Sequence, residues 1–128
     1  MSDKKLPKDV KWVQLTGHED DRGVLTALTE RVDIEWDVRR VFWITDVPEG
    51  QGRGCHAHRT CHELAFAVSG AFDITIDDGE QRATFCVDSP QRGIVIPAGT
   101  WCELRNFRPG TVCLVLASEE YKPEGYIR

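Results

Sequence analysis

Short stretches of alternating apolar and polar residues recur along the chain and predict an all-β protein. In Phe72-Asp73-Ile74-Thr75-Ile76 the first, third and fifth side chains share one face, which is the two-residue period of a strand. Segments of this kind, rich in Val, Ile, Thr and aromatic residues and bounded by Gly, Pro or Asp, predict eight strands: Val10–Leu15, Gly23–Leu28, Arg40–Ile44, Leu64–Val68, Phe72–Ile76, Ala83–Val87, Gly93–Ile96 and Thr111–Leu116. Short strands separated by frequent turns are typical of an antiparallel sandwich or barrel.

The connections follow from the same pattern. No segment keeps a helical period for three turns, and Leu28–Val38, which comes nearest, is predicted to be a loop. Asp78-Gly79, close behind the Phe72 strand, predicts a two-residue type I′ hairpin. Since small sheets often cover their edges by pairing with a second copy, the topology predicts a homodimer.

Length and composition narrow the function classes. The 128 residues are expected to form one domain spanning 1–128, and 41% apolar with 29% charged residues excludes disorder. A net charge of −5 argues against a non-specific nucleic-acid binder. No apolar run approaches the roughly 20 residues that cross a bilayer, and the N-terminus does not resemble a signal peptide. We therefore expect a cytoplasmic protein with neither nucleic-acid nor membrane partners.

The cysteines agree with a reducing compartment. There are five of them, an odd number, and no C-x-x-C pair occurs. A disulfide framework and a zinc ribbon are therefore not expected, and the thiols are expected to be reduced.

Three of the four histidines lie between Gly54 and Glu63. His56 and His58 are two residues apart, so on a strand their side chains point to the same face. Two adjacent imidazoles suit either metal ligation or acid–base chemistry near neutral pH. The alternative is a surface strand whose two histidines have no functional role.

The histidines belong to a longer pattern of fixed spacings. Gly50-x5-His56-x-His58-x4-Glu63-x6-Gly70 matches the first cupin motif, and Gly93-x3-Pro97-x-Gly99-x2-Cys102-x3-Asn106 approximates the second, with a shorter first spacer and Cys102 in place of histidine. The chain thus resembles the cupins, which implies an all-β double-stranded β-helix, or jelly-roll, barrel. Gly70 and Gly99 are expected to mark tight turns between strands.

A closer resemblance extends over about residues 21–128. It is carried by Asp21-Arg22-Gly23, Arg40–Ile44, Arg53–Arg59, Asp77–Gly79, Ser89-Pro90, Gly93, Pro97, Trp101, Val115–Ser118 and Tyr126–Arg128. These residues are similar to those of the dTDP-4-keto-6-deoxyglucose 3,4-ketoisomerases, the WxcM-like sugar-nucleotide isomerases.

The resemblance implies a reaction that moves a ketone from C4 to C3 of a dTDP-linked 4-keto-6-deoxyhexose through an enediol. His56 and His58 would divide the acid–base work, with His56 as the base. No metal or redox cofactor is implied, because the substrate's own carbonyl activates the C3 proton.

The resemblance also suggests substrate-binding residues. Arg40, Arg53 and Arg22 are candidates to bind the diphosphate. Trp101 and Trp43 could stack on thymine or wall the sugar pocket, although core packing is the commoner role of such residues.

Three positions depart from the family. The family usually carries Gln at Glu63, His at Cys102 and Tyr at Phe42, and these three residues are expected to face the same pocket as the histidines and to contact the substrate. Two other readings stay open: a metal-binding cupin, as an oxygenase or a metal-dependent isomerase, that uses His56, His58, Glu63 and Cys102 as ligands, and a non-catalytic cupin that binds a sugar nucleotide or another small ligand.

Overall fold

Two antiparallel sheets of five strands each form the body of the protein. The computed structural model describes residues 6–127, with backbone only at positions 55, 126 and 127. Residues 1–5 and Arg128, the last residue of the family-like C-terminal segment, lie outside the described residues. The strands are β1 (Lys11–Gln14), β2 (Gly17–Asp20), β3 (Gly23–Thr26), β4 (Arg40–Ile44), β5 (Arg53–His58), β6 (Glu63–Ser69), β7 (Phe72–Asp77), β8 (Arg82–Val87), β9 (Arg92–Ile96), β10 (Trp101–Arg105), β11 (Val112–Ala117) and β12 (Tyr126–Ile127).

The strand order is that of a jelly roll. The first sheet has the order β1-β9-β6-β11-β4 and the second β12-β5-β10-β7-β8, while β2 and β3 form a separate two-stranded ribbon. A 3₁₀ turn at Pro123–Gly125 is the one helical element in the described chain. The all-β cupin fold expected from the sequence is therefore confirmed. Between residues 6 and 127 no helix is long and apolar enough to span a membrane.

All eight predicted strands are present, and none of their ends is shifted by more than two residues. The structure adds β2, β10 and β12, which were not predicted, and shows the histidine segment as β5. The strand β2 is polar throughout, and β12 has only two residues, so neither carries an alternation that a pattern can detect. As predicted, Leu28–Val38 contains no helix.

The core lies between the two sheets, and a second apolar layer covers the outside of the first sheet. Phe72, Ile74 and Ile76 are fully buried in the core, which confirms the predicted alternation of β7. The opposite face of β6 contributes Leu64 and Phe66 to the second layer, where the 28–38 loop packs over them. The first sheet is thus buried on both faces near its centre.

The predicted type I′ hairpin is wrong. Strands β7 and β8 stay paired to their last residues, which leaves a four-residue connection, 78–81. Gly79 has a φ of 97°, but Asp78 is not at positive φ, as a type I′ turn would require. Instead, the Asp78 carboxylate accepts hydrogen bonds from the backbone N–H groups of Lys8, Gln81 and Glu80, which lower the pKa of Asp78 to about 2.

Candidate active site

A cavity of about 300 Å³ opens between the two sheets, and inward-facing side chains of both sheets line it. Its walls come from β4, β5, β6, β9, β10 and β11 and from the segment that follows β11. The lining residues are Arg40, Phe42, Ile44, Arg53, Gly54, His56, His58, Glu63, Ala65, Ile96, Cys102, Leu104, Val115 and Tyr121. Apolar walls with a few convergent polar groups are typical of a small-molecule site.

A bulge in β5 shapes the histidine strand. Cys102 pairs with His56, whereas the next residue of β10, Glu103, pairs with Gly54, so one residue of β5 is extra. Gly54 has a φ of 90°, and a Cβ there would lie 3.1 Å from the carbonyl oxygen of Cys102. A glycine is therefore required at this point of the bulge.

At the bulge, the His56 imidazole contacts the backbone of its own strand. The Nδ1 atom of His56 lies 3.1 Å from the carbonyl oxygen of Gly54. Since a carbonyl oxygen can only accept, Nδ1 carries the proton in this contact. In the neutral ring the lone pair is then on Nε2, the nitrogen that can act as a base.

His58 is deeper in the cavity. Its ring lies edge to face with that of His56, with 4.9 Å between the centroids. Its Nε2 atom is 3.3 Å from Oε1 of Glu63, and both side chains are almost completely buried. The two histidines therefore share one face, as predicted, but have different partners: a backbone carbonyl for His56 and a carboxylate for His58.

Arg40 lies among aromatic rings in the cavity wall. Its guanidinium carbon is 4.6 Å from the Phe42 ring centroid and 5.2 Å from that of Tyr121, both within cation–π range. Sequence reasoning did not select Tyr121, which follows β11 in an irregular segment where periodicity gives no indication of direction. Only one feature of the sequence could have indicated Tyr121: it is a large aromatic residue among charged neighbours.

Two predicted site residues are not brought to the cavity. Arg22 is in the turn of the β2–β3 ribbon, 2.6 Å from the Asp20 carboxylate and largely exposed. Cys102 points into the cavity, so Trp101, the residue before it on β10, points outward. The guanidinium carbon of Arg82 packs against the Trp101 indole, 5.0 Å from the ring centroid.

Trp43 and His62 also lie elsewhere. Trp43 is 64% exposed on the outer face of β4, so it neither walls the pocket nor packs in the core. His62, the third histidine of the cluster, stacks against Trp36 and accepts a hydrogen bond at Nδ1 from the backbone N–H of Ala98. The cluster therefore divides into two cavity histidines and one on the outer side of the barrel.

The proposed four-ligand metal set is not assembled. Within the described part of the chain, no three His, Cys, Asp or Glu side chains come together as metal ligands. The residues present thus do not fit a metal centre made of His56, His58, Glu63 and Cys102. Of the cysteines with described side chains, Cys61, Cys86, Cys102 and Cys113, none forms a disulfide.

Comparisons with known proteins agree with one another. Residues 8–128 match the family model "FdtA: WxcM-like, C-terminal". The chain is 33% identical over 109 residues to TDP-4-oxo-6-deoxy-alpha-D-glucose-3,4-oxoisomerase of Aneurinibacillus thermoaerophilus, covering 85% of this chain and 78% of that protein.

Two solved structures are similar over almost the whole chain. One is the 3,4-ketoisomerase QdtA from Thermoanaerobacterium thermosaccharolyticum, as a histidine-to-asparagine mutant in complex with TDP-4-keto-6-deoxyglucose, with 30% identity, a TM-score of 0.93 and coverage of 96% of this chain and 89% of that one. The other is the WlaRB TDP-quinovose 3,4-ketoisomerase from Campylobacter jejuni, with 34% identity, a TM-score of 0.92 and coverage of 95% and 94%.

Proposed function

The chain belongs to the FdtA family (WxcM-like, C-terminal) and is an isomerase of the sugar-nucleotide 3,4-ketoisomerase class, and we propose that its own substrate is a dTDP-linked 4-keto-6-deoxyhexose. It moves the ketone of this sugar from C4 to C3 through an enediol. The observation that carries the proposal is the pair His56 and His58, side by side in a cavity that Arg40 and Arg53 also line.

His56 is the base of this mechanism. With its Nδ1 proton directed at the Gly54 carbonyl, its Nε2 lone pair takes the proton from C3, which is acidic because it is alpha to the C4 carbonyl. His58 donates a proton to the C4 oxygen as the carbonyl becomes the enediol hydroxyl. The reverse exchange removes the proton from the C3 hydroxyl and returns one to C4. Only protons move, so the balance needs no redox cofactor.

The polar groups of the cavity bind and orient the sugar nucleotide. Arg40 and Arg53 supply positive charge for the diphosphate, as guanidinium groups do in many phosphate sites. Cys102 and Phe42 wall the sugar beside the histidines. This local positive charge reconciles an acidic chain with an anionic ligand.

Deuterium exchange tests the activity directly. Incubation with dTDP-4-keto-6-deoxyglucose in deuterated water is expected to give a 3-keto product with deuterium at C4, because solvent-exchangeable protons are returned there. NMR of the product reports the label, the position of the ketone and the configuration at C4.

Two results would contradict this function. Binding without conversion would favour the non-catalytic sugar-nucleotide binder. Loss of turnover after dialysis against a chelator, restored by a divalent metal, would favour the metal-dependent reading, whereas the proton-transfer mechanism predicts unchanged turnover.

We also propose that the protein is a homodimer that buries the part of the outer face of the first sheet that the 28–38 loop leaves exposed. Val41, Trp43 and Val68 are exposed there, beside an apolar groove of about 520 Å³ that includes Phe66 and Leu114. In the described chain β4 pairs only with β11, so its other edge is available to a second copy. Arg22 lies in the exposed β2–β3 ribbon, away from the cavity of its own protomer. In a dimer it could therefore contact only a substrate that is bound to the partner subunit.

A charge on this surface is expected to separate the dimer. Trp43→Glu places a carboxylate in the apolar patch and should yield monomers at micromolar concentration, because an unpaired charge is costly to bury. Light scattering after size exclusion measures the mass. Val32→Glu is the control, since Val32 is still more exposed but does not line this groove. A monomeric wild-type protein, or a dimeric Trp43→Glu variant, would contradict the interface.

Three further expectations concern the location of the protein, the extent of its domain and two substrate contacts. A sugar-nucleotide isomerase acts where its nucleotide substrate is made, which supports the proposed cytoplasmic location. The single domain over residues 1–128 stays a prediction, as do substrate contacts by Arg22 and Trp101.

A further inference from the structure

We propose that Glu63 is a positioning residue that holds the imidazole of His58 in place for proton transfer and does not bind the sugar nucleotide. This inference deepens the proposed function and rests on it. It changes the role of Glu63 from the substrate contact expected from the sequence to a group that acts through a histidine.

The burial of Glu63 is the first observation. The residue opens β6 and is only 6% exposed. A carboxylate in such a place is costly unless a positive or hydrogen-bonding partner compensates it. The Nε2 atom of His58 lies 3.3 Å from Oε1, within ion-pair distance although not aligned as a hydrogen bond, and the His58 side chain is equally buried.

The neighbouring thiols do not compete for this role. Burial, with a smaller contribution from the charge of Glu63, raises the pKa of Cys113 to about 12. The pKa of Cys61 is also raised, chiefly by burial. A thiol carries no positive charge in either protonation state, and these two stay protonated at physiological pH, so neither offsets the carboxylate. The basic side chain that contacts it is His58.

The second observation is that the two histidines are held differently. An ionised carboxylate only accepts protons, so Glu63 favours a proton on Nε2 of His58, whereas the Gly54 carbonyl places the proton of His56 on Nδ1. The two rings, 4.9 Å apart, thus carry their protons on opposite nitrogens. Nε2 of His56 is therefore the lone pair that can accept a proton, and His58 is the ring whose orientation Glu63 fixes.

Paired variants separate positioning from binding. Glu63→Gln keeps an oxygen that can accept from Nε2, and its kcat is expected to stay within about threefold of wild type. Glu63→Leu removes the acceptor at similar volume, and its kcat is expected to fall about 100-fold. The KM and the affinity for TDP should change by less than about twofold in both variants, because the substrate loses no contact.

The proton position on His58 gives a readout independent of turnover. Nitrogen NMR of labelled protein is expected to show Nε2 protonated in wild type and Glu63→Gln, and a shifted tautomer population in Glu63→Leu. Glu103→Leu serves as the control, since it removes a glutamate from the outer face of β10 and should leave both readouts unchanged. Should Glu63→Leu fail to fold, Glu63→Met repeats the test with an unbranched side chain.

The outcomes distinguish the two proposals. A raised KM with unchanged kcat in both variants would make Glu63 a substrate contact and overturn its positioning role, although the isomerase would stand. An unchanged His58 tautomer and kcat in Glu63→Leu would overturn it as well. If wild-type protein formed no 3-keto product, the function would fail, while the tautomer measurement would still decide what Glu63 does to His58.

Discussion

The His56→Asn variant is expected to lose turnover by at least about 10²-fold, because it removes the base that takes the C3 proton and leaves the binding residues in place. Asn has no basic nitrogen, and it is small enough to fit beside His58. Affinity for TDP, measured by calorimetry, should stay near the wild-type value, since Arg40 and Arg53 are untouched. Deuterium incorporation at C4 should fall in parallel with kcat.

His62→Asn is the matched control for this experiment. His62 is outside the cavity, and the side-chain oxygen of Asn can still accept the hydrogen bond that Ala98 donates. Its turnover is expected to equal that of wild type. Full activity in His56→Asn would refute the assignment of the base and would transfer that role to His58.

The Gly70→Ala substitution is expected to destabilise the fold by about 2–5 kcal/mol, which combines a left-handed backbone cost with overpacking. Gly70 has a φ of 73°, and a Cβ there would lie 2.4 Å from Oγ1 and 2.7 Å from Cα of Thr111. Thr111 cannot easily move, because its hydroxyl contacts the backbone of Ala71 and Arg108. Urea unfolding followed by circular dichroism measures the loss.

Gly79→Ala separates the two contributions. Gly79 also has a left-handed φ, 97°, but a Cβ added there would meet nothing within 4 Å. It should therefore cost only the backbone part, about 1–2 kcal/mol. If Gly70→Ala and Gly79→Ala lost the same free energy of unfolding, the contact with Thr111 would contribute nothing to the effect at Gly70.

Local patterns in the sequence predicted most of the fold. Strands such as β7 alternate strictly, and their period is a property of neighbouring residues, so it can be read without knowing their partners. The same period put His56 and His58 on one face, which the structure confirms. The spacing around Gly70 likewise predicted a tight turn, and its φ of 73° agrees.

The predictions that the sequence got wrong or missed concern features that are set by strand register or by contacts between residues far apart in the sequence. The direction of Trp101 depends on how β10 pairs with β5 and β7, and that register places Cys102 inward instead. The Asp78 turn depends on a hydrogen bond from Lys8, which is 70 residues away in the sequence. Tyr121 reaches the cavity only because the C-terminal segment returns to pair with β5.

The sequence by itself therefore determined the all-β class, the shared face of the two histidines and the family, because each follows from short-range spacing. Only the tertiary structure decided which groups stand beside those histidines. Glu63 meets His58 across two different sheets, and the Gly54 bulge turns His56 toward its own backbone. Such partners are set by strand pairing and packing between distant segments, which no local pattern specifies.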